Sequence, residues 1–393
     1  MNLTVAFLIV LIVLTVGEIV SMKTKAFIPS VFVSAAIFLG GFWTFFPENI
    51  VDLAGFTAPV VTLAMLTLVG HMGTMLSFKE MVSQWKTVAV ALGGIAGICL
   101  GTLTLGKIVF GWDMAVITTP PLTGGLVAAI IMSEAAKAKG LEAFAVLAII
   151  VYVMQGFAGY PLTSIMLKKE GQRLLAKYRN SSNEKKGEII EEIKEEVSRF
   201  RLFAPMDKKY QTTYMLYTKL GVLMVMSHYI DVFTGGAVSK YIVMLILGVI
   251  AAEIGFIERQ PLTLANSFGF FMTALMAFIF ASLSKATPAM LAELIIPLIG
   301  IIIFGVIGMA VVSIGIGKIL GYSREMAFSV ALTALYGFPP NYILTQEAVK
   351  ALTEDEQERE FLMGEMLPKM LIGGFTTVTI VSVVIAGVFK NLL

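Results

Sequence analysis

Hydroxyls, glycines and paired prolines gather in two short stretches of an otherwise apolar sequence. The first, Asp113 to Gly140, carries Thr118, Thr119, Pro120, Pro121, Thr123, Gly124 and Gly125. The second, Glu325 to Leu352, carries Tyr336, Gly337, Pro339, Pro340, Asn341 and Thr345. Each opens on an acidic-Met-Ala triplet and closes on Glu-Ala-x-Lys-Ala, Glu134 to Ala138 or Glu347 to Ala351. Each is preceded by a Gly-Lys pair, Gly106-Lys107 or Gly317-Lys318, and the copies lie roughly 212 residues apart. Self-similarity at fixed spacing marks an internal duplication.

The chemistry such stretches offer comes from broken helices. We expect each to break at its Pro-Pro pair. A half-helix starting near Leu126 presents unpaired N–H groups and a positive dipole end, which suit a carboxylate. Gly124 and Gly125 let a ligand approach that backbone closely. Thr118, Thr119, Thr123, Asn341 and Thr345 add hydroxyl and amide groups for an anion or a cation, with Tyr336 and Gly337 on the entering arm of the second copy. Carbonyls freed at Pro120, Pro121, Pro339 and Pro340 are expected ligands for Na⁺. Gln155, with Tyr152 and Tyr160, follows the first copy and completes the candidate set; Gly373, Gly374, Thr376 and Thr377 follow the second. Each residue also has a purely structural use. A membrane threonine bonds the preceding turn of its own helix, Gly-Gly allows close helix packing, and Pro-Pro kinks. Their coincidence at matched positions, twice, favours a site.

The elements that position these groups are apolar spans. The 393 residues are 57% hydrophobic and 14% charged, with mean hydropathy +0.86. Many stretches approach the ~20 apolar residues needed to cross a bilayer core, so the expected class is an all-α polytopic membrane protein. The net charge of +2 is spread over short loops and points to no nucleic acid. The lone cysteine, Cys99, excludes an intramolecular disulfide and a multi-cysteine metal site. No nucleotide-binding glycine loop or metal-ligand cluster is present, so neither catalysis nor a covalent cofactor is expected. Asn2–Val20 is read as a retained first span. His71 is expected to be a packing histidine; Glu253, Lys219 and His228 are expected to snorkel, and Glu365 and Lys369 to pair.

The first half reads as spans Leu3–Ser21, Ala26–Phe46, Leu53–Leu76 and Thr87–Phe110, the broken segment 113–139, then Leu141–Leu167. A charged stretch, 168–211, with a helical run Gly187–Phe200, joins it to the second half. There the spans are Thr212–Phe233, Ser239–Phe256, Leu262–Leu283 and Leu291–Leu320, the broken segment 325–352, then Phe361–Phe389. If both broken segments crossed the bilayer, basic loops would fall on both faces, against the bias of Lys and Arg toward the cytoplasm. If each dips in and returns, Lys23, Lys25, Lys79, Lys86, the basic joint (Lys168 to Lys186), Arg259, Lys318 and Arg324 share one face. Glu48, Asp52, Asp113 and Asp231 take the other; Lys137, Lys139 and Lys285 are exceptions. Charge thus favours two inverted repeats, residues 1–167 and 212–393, each with five transmembrane helices and one re-entrant helical hairpin. Both termini are then outside and 168–211 is cytoplasmic. The alternative is one Pro-kinked helix spanning Asp113 to Lys139.

With these residues in view, the chain resembles the glutamate:sodium symporter family of bacterial transporters. The segments that carry the resemblance are PLTGGLVAAIIMSEAAKAKGLEAF (Pro121–Phe144), YVMQGFAGYPLTSIMLKK (Tyr152–Lys169) and YGFPPNYILTQEAVKAL (Tyr336–Leu352). The resemblance implies Na⁺-coupled uptake of glutamate or a related small carboxylate across the cell membrane, by alternating access, in a homodimer. It departs at one point: the family's Gly-Gly-His-Gly is here Gly124-Gly125-Leu126-Val127, so a different solute is open. The alternative function is a membrane-embedded ion-translocating subunit or a channel.

Overall fold

A computed structural model describes residues 1–76, 84–180, 202–204, 206–235, 240–377 and 381–393. Lys79, Lys185, Lys186, Ser239 and the expected run Gly187–Phe200 lie outside the described residues. The described residues form helices and no strand. Among the described residues, six helices are long and apolar enough to cross a membrane: Leu3–Lys23, Ala58–Met75, Trp85–Phe110, Glu142–Arg179, Phe268–Lys285 and Pro288–Leu320.

In chain order, α1 is Leu3–Lys23, α2 Ser30–Thr44, α3 Ile50–Leu53 and α4 Ala58–Met75. Helix α5 begins as Trp85–Gly101 and continues through a π-helical turn, Thr102–Gly106, into Lys107–Phe110. Then follow α6 (Trp112–Leu122), α7 (Leu126–Ala138) and α8 (Glu142–Arg179). The order recurs as α9 (Thr213–Phe233), α10 (Lys240–Glu253), α11 (Pro261–Leu264), α12 (Phe268–Ala281), α13 (Pro288–Leu320), α14 (Arg324–Leu332) and α15 (Pro340–Leu352). The expected last span is described in two pieces, α16 (Glu356–Thr376) and α17 (Ser382–Phe389). The short α3 and α11, unforeseen from the sequence, precede α4 and α12 alike.

Two compact units share the chain. In one, residues 1–10, 49–83 and 180–279, α4 and α10 meet through glycines. A Cβ on Gly73 would meet the Leu245 carbonyl and the Gly248 backbone. His71 is buried, its Nδ1 accepting the Leu262 N–H at 3.3 Å and its ring lying on Phe268, as a packing histidine should. Lys219 and Glu253 do not snorkel as isolated charges. Lys219 pairs with Glu258 at 3.0 Å and Glu253 with Arg259 at 2.9 Å, because pairing a partly buried charge costs less than leaving it alone.

The other unit, residues 11–48, 84–179 and 280–393, contains every candidate site residue. In it α5 and α13 cross closely, where Gly97 and Gly101 face Phe304 and Gly308 backbone to backbone. Helix α8, 38 residues long, packs against both broken segments. At 1.5 Å per residue it spans about 57 Å, well beyond a hydrocarbon core. It does not stop at Leu167: the start of the charged stretch is its C-terminal extension. Leu174, Leu175 and Tyr178 are buried there, Tyr178 stacks on Phe361 at 4.6 Å, and a Cβ on Gly171 would meet Leu352. The pair Glu365–Lys369 forms as expected, at 3.0 Å.

Candidate functional site

The first segment breaks after its prolines. Pro120 and Pro121 lie in the last turn of α6, and the helix stops at Thr123-Gly124-Gly125. Gly124 and Gly125 both have positive φ, 100° and 101°, a conformation that costs a residue with a Cβ dearly. A single kinked helix from Asp113 to Lys139 is therefore absent. The second segment breaks before its second proline. After a 3-10 turn at Thr333–Leu335 the chain unwinds through Tyr336, Gly337 (φ 65°) and Phe338, and Pro340 starts α15. The structural equivalents are the glycines, not the prolines. Gly337 follows Gly124 by 213 positions, the spacing of Glu347 from Glu134, whereas Pro339 follows Pro120 by 219.

Proline position also decides which carbonyls lose their usual helical N–H donor. A proline within a helix removes the bond to the carbonyl four residues earlier, which here means Val116 and Ile117. The prolines' own carbonyls are engaged. Pro120 O accepts the Thr123 N–H at 3.1 Å and hydroxyl at 2.8 Å, Pro121 O the Gly124 N–H at 3.2 Å, and Pro339 O the Tyr342 N–H at 3.0 Å. Pro340 occupies the first turn of α15, where its missing N–H is harmless.

The two ends of each segment contact residues adjacent in the chain, Leu392 and Leu393 for the first and Glu170 and Gly171 for the second. Trp112 Nε1, at the start of α6, donates to Leu392 O at 3.2 Å, and Lys139 Nζ, just past α7, donates to Leu393 O at 2.8 Å. Ser323, the N-cap of α14, donates to Glu170 at 2.7 Å, while Leu352, the last residue of α15, sits over Gly171. Ser323 thus holds the Met326 N–H and the Glu170 carboxylate together. Glu170 also takes the Arg173 fork at 2.9 and 2.7 Å. A second fork, Arg179 on Glu358 at 2.7 and 2.8 Å, fixes the exit.

The breaks meet the middle of α8. The buried Gln155 side chain lies 3.2 Å from both Pro121 O and Leu122 O, and the amide is assigned with its nitrogen toward these two carbonyls because only that orientation lets it donate to them. One turn on, a Cβ on Gly159 would meet Leu335 and the Tyr336 ring. Tyr160 and Tyr336 rings lie 5.4 Å apart, and Thr163 Oγ1 and the Tyr336 hydroxyl share a hydrogen bond of 2.7 Å. Asn341 is fully buried, its Nδ2 donating to Met370 O at 2.8 Å and its Oδ1 accepting the Tyr342 N–H at 2.7 Å. Thr163 was not among the residues expected from sequence. Nor was Thr102, whose hydroxyl lies 2.5 Å from that of Thr119. Thr102 carries no sequence signal of its own; only the structure shows that it begins the π-helical turn.

All four candidate threonines are buried. Each donates to its own helix: Thr118 to Met114 O (2.7 Å), Thr119 to Ala115 O (2.6 Å), Thr123 to Pro120 O and Thr345 to Asn341 O (2.7 Å). A hydroxyl whose proton is spent this way offers lone pairs, which suit a cation rather than an anion. The groups here that could donate to an anion are backbone N–H groups at the half-helix starts, and the two half-helices differ in them. No side chain caps the N-terminus of α7, whereas that of α15 is closed by Pro340 and by Asn341 Oδ1.

Removing the hydroxyl in Tyr336→Phe strands that of Thr163 in a buried setting. The expected loss is about 1–3 kcal/mol, with Tyr336→Phe/Thr163→Val recovering most of it. Chemical denaturation of the two single variants and the double variant measures this, and additive losses would sever the pair. Comparison with known protein families and with curated proteins finds no match.

Proposed function

We propose that the chain is a secondary transporter that moves a small carboxylate with Na⁺ by alternating access, its two broken segments acting as re-entrant hairpins of inverted halves. One observation carries this reading: the segments approach α8 from opposite ends and break one turn apart on it. The ends of α6–α7 lie beside the start of α8, and those of α14–α15 beside Glu170 and Gly171. Gln155 and Gly159, which touch the two breaks, are about 6 Å apart along the helix. Helix lengths agree. At about 16 Å for α6 and about 20 Å each for α7 and α15, no arm alone spans a core of about 30 Å. Broken helices meeting mid-membrane in matched halves are the usual arrangement of a transport site. Shared sidedness of the basic loops has a local counterpart in Lys168, which donates to Lys25 O at 2.6 Å.

Within this reading the solute carboxylate faces Gly124, Gly125 and the open N-terminus of α7, and Na⁺ takes threonine oxygens and the Val116 and Ile117 carbonyls. Leu126 and Val127 in place of a polar pair favour a solute with an apolar portion over glutamate itself. The halves form one carrier subunit, and a homodimer in the cell membrane follows from the family resemblance. Purified protein in liposomes, screened with labelled amino and dicarboxylic acids, should show saturable uptake that needs a Na⁺ gradient. Uptake of none, or unsaturable flux of the channel type, would remove the proposal.

Topology has its own test, helped by Cys99 being the sole cysteine. In a Cys99→Ala background, Trp112→Cys and Lys139→Cys should label from outside the cell. Lys23→Cys and Asp355→Cys should label only from the cytoplasm. Trp112 and Lys139 on opposite faces would mean that the first segment crosses.

A further inference from the structure

The turn between α1 and α2 carries basic side chains that the transport reading does not use. Its backbone is fixed by Ala26 N–H to Ser21 O (2.8 Å), Lys25 N–H to Met22 O (3.1 Å) and Ile28 N–H to Thr24 Oγ1 (3.2 Å). Lys25 and Ala26 both take positive φ, 50° and 53°, which aims successive carbonyls at α8. Ser164 Oγ donates to Ala26 O at 2.5 Å, and Lys168 Nζ, one helical turn on, donates to Lys25 O at 2.6 Å.

This docking sets Lys25 of the turn beside Lys168 of α8, with Lys23 at the end of α1 two residues before Lys25 and Lys169 next to Lys168 in the chain. Among the described residues, no acid forms an ion pair with any of the four. Glu347, a carboxylate from another element, is committed to the N-terminus of α2, accepting the Ser30 N–H at 3.2 Å. That helix has Pro29 as its own N-cap and no side-chain cap of its own. Lys168 spends one of its three N–H donors on the turn and keeps two. Beside the lysines, Met22 and Phe27 are about two-thirds exposed, 65% and 66%. The cluster stands where α1 ends and where the apolar run of α8 gives way to charge, the level of phospholipid headgroups.

We infer that this corner binds the phosphate headgroup of an anionic phospholipid, held by Lys25, Lys168 and Lys169, with its acyl chains against Met22 and Phe27. Anionic lipid attracts lysines at such a surface, and a fixed turn lets them act together without ordering a loop first. The inference rests on the chain crossing a membrane and not on what it transports.

Thermal unfolding of the full chain in detergent, titrated with phosphatidylglycerol, phosphatidylcholine of the same acyl chains, or inorganic phosphate, tests it. Phosphatidylglycerol should raise Tm by several degrees, and the other two should not. Lys25→Gln/Lys169→Gln, which leaves the Lys168 bond to the turn in place, should lose most of that increment while keeping its Tm in phosphatidylcholine. Lys285→Gln, an exposed lysine elsewhere, should keep the increment. An equal rise with both lipids, an undiminished rise in the double variant, or a comparable rise with inorganic phosphate alone would overturn the inference. Transport activity enters none of these readings, so failure here is separate from failure of the proposed function.

Discussion

Valine in place of Gly308 should keep the protein from reaching a folded, monodisperse state. A Cβ at Gly308 would meet the Gly97 carbonyl and lie 2.9 Å from both N and Cα of Gly101. One at Gly97 would meet the Gly308 carbonyl and lie 2.8 Å from Met309 Cα. These neighbours are backbone and cannot rotate aside, so α5 and α13 would have to separate. Inside a bilayer that contact is not replaceable by the hydrophobic effect, because lipid tails are as apolar as the helix, and association rests on close packing of small residues. Overpacking costs about 1–3 kcal/mol where side chains yield, and a backbone obstacle puts Gly308→Val at or above the top of that range. The same change at Gly315, on the same helix with nothing within 4 Å, is the control. Size-exclusion profiles in detergent should show aggregate for Gly308→Val and a wild-type peak for Gly315→Val. A wild-type profile for both would mean that the crossing does not hold the fold.

The glycines of that crossing were visible in the sequence, but their partners were not. A GxxxG spacing at Gly97 and Gly101 says that a backbone comes close, without saying which one. The repeat was legible because its markers, Gly-Lys, acidic-Met-Ala and Glu-Ala-x-Lys-Ala, sit on helices whose lengths are alike in both halves. Both breaks adjoin their Pro-Pro pairs, but on different sides of them, after Pro121 in the first copy and before Pro340 in the second, for a physical reason. Proline tolerates two sites beside a break: the first turn of the following helix, where Pro340 sits, and the last turn of the preceding one, where Pro120 and Pro121 sit. Glycine at positive φ has no such freedom, and it marks equivalent places in the two copies. Gln155 was placed beside the first break because it follows in sequence. Thr163 escaped notice because its partner, Tyr336, is remote along the chain. The extension of α8 past Leu167 escaped notice because its charges masked the buried Leu174, Leu175 and Tyr178.

Gly125→Ala should abolish uptake, and the structure allows strain to be separated from loss of the site. Gly125 sits at φ 101° and ψ 126°, a region closed to residues with a Cβ. Alanine there must either bear about 1–3 kcal/mol of strain or move the break. Either outcome alters the N-terminus of α7, which no side chain caps, and puts a methyl group where a carboxylate would reach the backbone. Gly140, at the other end of the same segment, also has positive φ, 74°, with nothing within 4 Å. Gly140→Ala should therefore lower Tm to a similar degree while keeping uptake of whichever solute the liposome screen identifies. For Gly125→Ala the expected fall in uptake is at least about 1,000-fold, larger than strain alone explains, since 1.4 kcal/mol is a factor of ten in an equilibrium and about 3 kcal/mol of strain accounts for roughly 150-fold. Should the two variants lose stability and uptake in parallel, the first break would be a structural turn and the solute would bind elsewhere.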